Sequence, residues 1–76
     1  MNMNDLKILV ANIANIDIKE IEEDELFVDM YFWDSLKHTE FLLELESKYK
    51  IIVPISRIEK INNIIKIFNY IKKNTD

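Results

Sequence analysis

The side chain best placed to do chemistry in this sequence is a serine at a predicted helix start. Ser35 stands between Asp34 and Leu36, where a long loop gives way to an amphipathic helical pattern. A helix N-terminus presents unpaired N–H groups and the positive end of the helix dipole, so it favours a phosphate group. A phosphodiester on the Ser35 hydroxyl would suit this position. The alternative is a plain helix cap, because Asp and Ser are both common N-cap residues.

His38, three residues after Ser35, raises the alternative of a hydrolytic pair. Such a pair needs an oxyanion hole and a substrate pocket, and the sequence indicates neither. The spacing also places His38 toward the buried side of the helix. We therefore expect a half-buried histidine with a satisfied hydrogen bond rather than a catalytic base.

A second, outer stripe follows Ser35 along the same predicted helix. It combines apolar and acidic side chains, at Leu36, Thr39, Glu40, Leu43 and Glu46. Such a face suits docking to an apolar patch ringed by basic side chains on a partner. The alternative is an ordinary solvated helix surface.

The composition excludes most kinds of self-contained enzyme. The chain has 76 residues with no glycine and no cysteine. Without glycine there is no P-loop, no dinucleotide-binding turn and no glycine-flanked serine elbow. Without cysteine there are no disulfides and no thiolate metal sites, and no other metal site is indicated. We expect a single domain over residues 1–76, too small for a large substrate cavity.

No targeting or membrane segment is visible in the sequence. The first residues lack a basic region, and the apolar runs are too short for a signal core or a membrane span. We therefore expect a cytoplasmic protein with no membrane association.

The charge is divided unevenly along the chain. Residues 17–46 hold eleven acidic and two basic residues, whereas residues 47–76 hold seven basic and two acidic ones. An acidic middle would steer association with a basic partner. A small DNA-binding helix-turn-helix is disfavoured, because the formal net charge is −4 and no tight basic cluster is present.

The first half of the chain predicts one helix and a long loop. An apolar stripe at Leu6, Leu9, Val10 and Ile13 predicts a helix capped by Asn4 that ends near Ala14. Residues 16–33 show no helical period. Ile18 and Ile21 should anchor this loop, and Leu26 and Phe27 should enter the core, so we expect it to be ordered.

The second half predicts three further helices. Helix 2 begins at Asp34–Ser35, with an inner stripe at Phe41, Leu42, Leu45 and Tyr49. Ser56 and Glu59 form a capping-box pattern that predicts a short third helix. Asn62 or Asn63 should cap a last helix that turns Ile64, Ile65, Phe68 and Ile71 inward. The predicted fold is all-α, a small four-helix bundle of three main helices and one short third helix.

With this pattern the chain resembles the acyl carrier and peptidyl carrier proteins. Asp34-Ser35-Leu36 is similar to their D-S-L attachment motif. Further stretches agree in order and spacing: Leu26-Phe27, Phe41 to Glu46, Val53-Pro54 and Ile64 to Ile71. The resemblance covers nearly the whole chain.

The resemblance implies that Ser35 receives a 4'-phosphopantetheine arm from coenzyme A through a separate phosphopantetheinyl transferase. Asp34 and Leu36 would flank the attachment point. The arm would carry acyl or aminoacyl groups as thioesters, supplied by a loading ligase and passed to downstream transferases or synthases. The chain would be a monomer and would catalyse nothing itself. The reactive thiol would belong to the cofactor, which fits a chain without cysteine.

One departure lies just before the motif. Where the family usually has Asp-Leu-Gly, this chain has Met30, Tyr31 and Phe32. Phe32 does not readily adopt the positive φ that glycine allows. This difference favours a specialised carrier. The remaining alternative is an unmodified helical interaction module that uses the outer face of helix 2.

Overall fold

The computed structural model describes residues 1–75, and these residues form helices joined by loops, without strands. In chain order the helices are α1 (Met3–Ala14), α2 (Ser35–Tyr49), α3 (Ile55–Ile58) and α4 (Ile64–Thr75). The prediction of an all-α bundle with three main helices and one short third helix is confirmed. Asp76 lies outside the described residues.

One hydrophobic core joins the three long helices. Each long helix contributes two of the most deeply buried side chains. These are Leu6 and Val10 in α1, Phe41 and Leu45 in α2, and Ile64 and Ile67 in α4. Their spacings of three and four residues put each pair on one helix face. This shared core fixes α2 against α1 and α4, and so fixes the direction in which α2 presents its N-terminus.

The loop between α1 and α2, residues 15–34, is ordered by hydrogen bonds to the start of α4. The Phe27 N–H donates to the Asn62 carbonyl oxygen at 3.0 Å, and the Ile65 N–H donates to the Glu23 carbonyl oxygen at 3.2 Å. Of the predicted loop anchors, Ile21 and Phe27 are buried, whereas Ile18 and Leu26 are half-buried. Leu26 has extended backbone angles directly before a short 3₁₀ turn at Phe27–Asp29, and its side chain enters the core only in part.

Helix α1 begins earlier than predicted. Its N-cap is Asn2, not Asn4, because Asn2 and Asp5 form a reciprocal capping box. The Asp5 N–H donates to Asn2 Oδ1 at 2.8 Å, and the Asn2 N–H donates to Asp5 Oδ2 at 3.1 Å. Aspartate thus takes the place that glutamate or glutamine usually fills in this motif.

The predicted capping box at Ser56 and Glu59 is wrong. Helix α3 begins one residue before Ser56, and the extended Pro54 precedes it with no side-chain cap. Ser56 is therefore inside the helix, where its backbone cannot adopt the extended conformation that an N-cap residue needs.

The last turn of α2 does not continue the inner stripe that the sequence predicts. Lys50 has φ 58° and reverses the chain, which places Ile51 in the core. Tyr49 consequently stays 40% exposed, so its prediction as an inward residue is wrong. Among residues 1–75 the non-glycine positive φ values belong to Asn15 and Lys50. Phe32 is not among them, so the loop before Ser35 needs no glycine.

The N-cap of α4 is Asn63, one of the two predicted residues. Its Oδ1 accepts a hydrogen bond from the Lys66 N–H at 2.8 Å. Ile64 and Ile71 face the core as predicted, but Ile65 and Phe68 are only half-buried. Ile67 is buried in their place, because it lies one turn from both Ile64 and Ile71 on the same face.

Candidate functional site

Ser35 is the first residue of α2, and its side chain is exposed. Asp34 precedes it as the N-cap, with extended backbone and an Oδ1 that accepts a hydrogen bond from the Lys37 N–H at 2.8 Å. Because Asp34 provides the cap, the Ser35 hydroxyl is not needed for this purpose. No hydrogen bond of Ser35 Oγ is found within residues 1–75, which leaves it accessible as an attachment point.

The Asp34 carboxylate is held in its charged form. The hydrogen bond from the Lys37 N–H lowers the pKa of Asp34 below its usual value, and the Lys37 ammonium, 3.6 Å from Oδ2, acts in the same direction. Asp34 is exposed on the surface beside Ser35. It therefore presents a negative charge next to the hydroxyl at neutral pH.

An open groove of about 430 Å³ lies beside Ser35. One side is formed by the end of the α1–α2 loop and the first turn of α2, and the other by the segment from α3 toward α4. Its lining is mainly apolar and consists of Phe27, Val28, Trp33, Asp34, Ser35, His38, Ile58, Glu59, Ile61 and Asn62. A groove of this volume lies within the usual range for ligand sites.

Aromatic rings form the floor of the groove. Phe27 stacks on Trp33 with ring centroids 5.3 Å apart, and the His38 ring meets Phe27 edge-on at 5.0 Å. Phe41 lies below, 5.9 Å from Trp33. Such contacts add to the stability that burial alone provides. The floor of the groove is therefore a fixed surface built on the core.

His38 accepts a hydrogen bond at Nδ1 from the Trp33 indole N–H, at 3.2 Å. Burial lowers the pKa of His38 below 6.5. At neutral pH the ring is uncharged, and its proton is carried by Nε2, because Nδ1 is the acceptor. The prediction of a half-buried histidine with a satisfied hydrogen bond is confirmed.

The sequence indicates no pocket near Ser35, and this interpretation is wrong, since the groove begins at this residue. The groove depends on contacts between distant parts of the chain, which the local pattern does not reveal. Even so, no hydrogen bond links Ser35 Oγ to His38 in the described part of the chain. The nucleophile–base contact of a hydrolytic pair is therefore absent from this arrangement.

The predicted outer stripe lies on the surface of α2. Leu36 is 68% and Leu43 58% exposed, and Thr39, Glu40 and Glu46 are also exposed. The Thr39 hydroxyl donates to the Ser35 carbonyl oxygen at 3.0 Å, so its proton is used within the helix. The stripe presents two large apolar side chains among carboxylates on the helix that begins with Ser35.

Sequence reasoning missed the far side of the groove and an apolar residue at its rim. The far side of the groove is formed by the end of α3 and the segment after it, with Ile58, Glu59, Ile61 and Asn62. Val28 also lines it and is 87% exposed. No local pattern singles out these residues, because the Phe27–Asn62 backbone hydrogen bond brings the two segments together. An exposed valine in a loop gives no signal by itself.

Residues 1–75 contain no cluster of three or more His, Asp or Glu side chains placed to hold a metal ion. None of their helices combines the length and the apolar character that crossing a lipid bilayer requires.

Comparison with known proteins identifies the family of this chain. The sequence profile described as "phosphopantetheine attachment site" matches residues 4–71. The chain belongs to the phosphopantetheine attachment site family. The resemblance to carrier proteins predicted from the D-S-L motif is thereby confirmed.

Relatives of similar length lie within the same family. An acyl carrier protein of Brachyspira hyodysenteriae is 38% identical over 72 residues, which cover 93% of this chain and 92% of the relative. An acyl carrier protein of Clostridium acetobutylicum is 32% identical over 71 residues, with 93% and 92% covered. One of Helicobacter pylori is 31% identical over 70 residues, with 92% and 90% covered.

As a member of the phosphopantetheine attachment site family, the chain is a carrier that uses 4'-phosphopantetheine. Its relatives are carriers rather than catalysts, and the family works with a phosphopantetheinyl transferase and with biosynthetic enzymes. The structure fits this cofactor. An exposed hydroxyl without a competing hydrogen bond stands at the start of a helix, and an apolar groove begins beside it.

Proposed function

We propose that the 4'-phosphopantetheine arm is attached to Ser35 and that the chain presents acyl groups, held as thioesters on the arm, to partner enzymes. We include in the proposal that residues 1–76 act as one carrier domain, monomeric and cytoplasmic. The observation that carries the proposal is the position of Ser35. It is an exposed hydroxyl at the first residue of α2, inside the region matched by the family profile.

The chemistry requires little of this chain. The Ser35 oxygen forms a phosphoester bond to the pantetheine-bearing phosphorus of coenzyme A. The diphosphate bond breaks, and adenosine 3',5'-bisphosphate leaves. The proton of the Ser35 hydroxyl passes to a base of the transferase, because neither His38 nor another described side chain is hydrogen-bonded to it. The charged Asp34 beside Ser35 is suited to contact the transferase or a metal ion held by it.

The cargo is assigned to the acyl class. The relatives described above carry the name acyl carrier protein. The terminal thiol of the arm supplies the thioester chemistry when the arm is attached. The partners are then an enzyme that loads an acyl group and transferases or synthases that receive it, rather than an aminoacyl-loading ligase.

The outer stripe of α2 is the proposed docking face. Leu36 and Leu43 supply apolar anchors, and Glu40 and Glu46 supply charge. Anchoring side chains contribute most of the binding free energy at an interface, and charges chiefly guide orientation and association rate. Leu36 adjoins Ser35, so a partner held there would bring its active site to the attachment point.

The test of the attachment is intact mass after incubation of the apo protein with coenzyme A and a broad-specificity transferase. We expect the mass to rise by one phosphopantetheine unit, and we expect Ser35→Ala to abolish the gain. Ser56→Ala is the matched control, since Ser56 is also exposed within a helix, and it should gain mass normally. Thiol-specific release of the cargo from protein purified from its own cells would then identify the acyl group.

A folded wild-type sample that gains no mass, and also carries none in its own cells, would contradict the proposal. It would favour the alternative of an unmodified interaction module. Mass gain in Ser35→Ala would contradict the attachment at Ser35 specifically.

The docking face is tested by the rate of loading. We expect Leu36→Ala to lower kcat/KM of the transferase about tenfold, as for an anchor residue at an interface. Ile8→Ala is the control, because Ile8 is also an exposed apolar residue, at 41%, but lies on α1. Equal effects of the two substitutions would show that the α2 face has no special role.

A further inference from the structure

The groove beside Ser35 contains a feature that attachment of the arm does not require. Its floor holds a tryptophan and a histidine joined by a hydrogen bond, Trp33 Nε1–H to His38 Nδ1. Burial of apolar surface alone does not require polar ring atoms at these two positions. The pair therefore invites a role that depends on its polar atoms.

The free polar atom of this pair is His38 Nε2. Nδ1 already accepts from Trp33, so the proton of the neutral ring lies on Nε2. No partner for Nε2 is found within residues 1–75. Nε2 is not fully buried, because it is not among the buried side-chain atoms of this part of the chain that lack a hydrogen-bond partner. Nε2 therefore reaches solvent. His38 also lines the groove, and we infer that its Nε2–H is the donor offered to a molecule that lies there.

The surroundings of this donor are apolar and well packed. The Trp33 and Phe27 rings are stacked, and Ile61 lines the groove as a buried residue. Asp34 and Glu59, both exposed, are the charged residues that line the groove, and they lie on its opposite sides. An occupant that matches this surface has an apolar body and a neutral hydrogen-bond acceptor.

The segment of the arm next to its phosphate has this chemistry. The pantoyl unit bears two geminal methyl groups, a hydroxyl and an amide carbonyl within a few bonds of the phosphate. Since Ser35 itself lines the groove, an arm attached there begins at the groove. A tethered group also reaches a high effective concentration, so even a weak contact is populated.

We propose that the Trp33–His38 pair positions the arm, with the geminal methyl groups of its pantoyl unit on the Trp33 face of the groove and His38 Nε2–H donating to a pantoyl oxygen. This inference rests on attachment of the arm at Ser35, as proposed above. Trp33 and His38 are positioning residues in this proposal. They hold the near end of the arm, and the thiol end stays available to partner enzymes.

The test uses protein labelled with ¹³C and ¹⁵N and converted to the holo form with unlabelled coenzyme A. Intact mass first establishes that one arm is attached. Isotope-filtered NMR then detects nuclear Overhauser effects between the pantoyl methyl protons and protein protons. We expect cross-peaks to the ring protons of Trp33 and His38, and a shift of the Trp33 indole N–H signal between the apo and holo forms.

Two variants test the polar atoms of the pair. His38→Phe keeps a ring but removes the Nε2–H donor together with the Nδ1 acceptor of the Trp33 indole N–H. Loss of the hydrogen bond to the arm should lower the population of the placed arm about fivefold. Tyr31→Phe is the control, because the Tyr31 hydroxyl donates to Glu20 outside the groove, and its cross-peaks should match the wild type. The wild-type spectrum decides the matter even where His38→Phe fails to fold.

The possible outcomes separate this inference from the proposed function. No added mass on the folded wild-type protein overturns both. Added mass with no cross-peaks to Trp33 or His38 leaves the carrier function intact and overturns the placement of the arm. Cross-peaks that are unchanged in His38→Phe overturn the role of the hydrogen bond.

Discussion

His38 shows how much a single side chain depends on its surroundings. The ring is packed against Phe27 and Phe41 and accepts a hydrogen bond from Trp33. This packing makes the charged form of the ring costly and lowers its pKa. The charge state of His38 in the folded protein is thus set by the aromatic floor of the groove.

A dependence of stability on pH follows from this lowered pKa. In the unfolded chain His38 takes up a proton near pH 6.5, but in the folded protein it does so only at lower pH. Between these two values the unfolded state binds more protons, so the free energy of unfolding falls as the pH decreases. The slope from one group is at most about 1.4 kcal/mol per pH unit.

Urea unfolding between about pH 5.5 and 7.5 would measure this slope, in a range above the usual pKa of carboxyl groups. His38→Phe should flatten the curve because it removes the titrating group. A wild-type curve that is flat across this range, or a slope that persists in His38→Phe, would contradict the assignment to His38.

At the scale of elements, the α1–α2 loop and α4 stabilise each other. Asn63 links them with both ends of its amide group. Its Oδ1 caps α4 at the Lys66 N–H, and its Nδ2 donates to the Asp24 carbonyl oxygen of the loop at 3.3 Å. The Ile65 N–H, which has no partner within the first turn of the helix, donates to the Glu23 carbonyl oxygen. The loop therefore serves as part of the cap of α4.

We expect Asn63→Ala to lower the free energy of unfolding by about 2 kcal/mol. About half comes from loss of the cap, and the rest from the Asp24 carbonyl left without its partner. The matched control is Asn62→Ala, because within residues 1–75 the Asn62 side chain accepts only from the exposed Lys66 ammonium. That change should stay within about 0.5 kcal/mol. Equal losses in urea unfolding would refute the linking role of Asn63.

The elements differ in how far the sequence predicts them. The start of α2 follows from Asp34 and Ser35, because an N-cap residue before an amphipathic run is a local signal. The end of α2 does not, since a lysine in the left-handed conformation gives no such signal. The groove is likewise absent from any local pattern. It depends on the Phe27–Asn62 hydrogen bond, which joins residues far apart in the chain.

At the scale of the whole molecule, the charge is divided between the two halves of the chain. The acidic segment, residues 17–46, includes the α1–α2 loop and most of α2, and the basic segment, residues 47–76, includes α3 and α4. A basic partner is therefore attracted toward the end that bears Ser35. The opposite charge on the rest of the chain favours one orientation during approach.

We expect the association rate with a basic partner such as the transferase to fall by about tenfold or more between low and physiological salt. Glu40→Gln with Glu46→Gln should weaken this salt dependence. The control is Lys60→Gln with Lys73→Gln, which removes the same number of charges from the basic segment. This control should leave the association rate unchanged or raise it. Stopped-flow association at several salt concentrations would measure these effects. Identical losses in the two double variants would exclude orientation by charge.

Lys50 has a consequence for heat resistance. The left-handed backbone at the end of α2 costs a residue with a side chain about 1–2 kcal/mol, and this chain has no glycine to avoid that cost. Lys50→Gly should stabilise the fold by about 0.5–1 kcal/mol after allowance for the flexibility of glycine in the unfolded chain, and so raise the melting temperature by about 3–6 °C. Ser47→Gly, inside α2, should lower it. A calorimetric scan in which Ser47→Gly melts at a higher temperature than Lys50→Gly would contradict this prediction. If the expected order is found, a single substitution at position 50 is sufficient to give a carrier that stays folded at higher temperature.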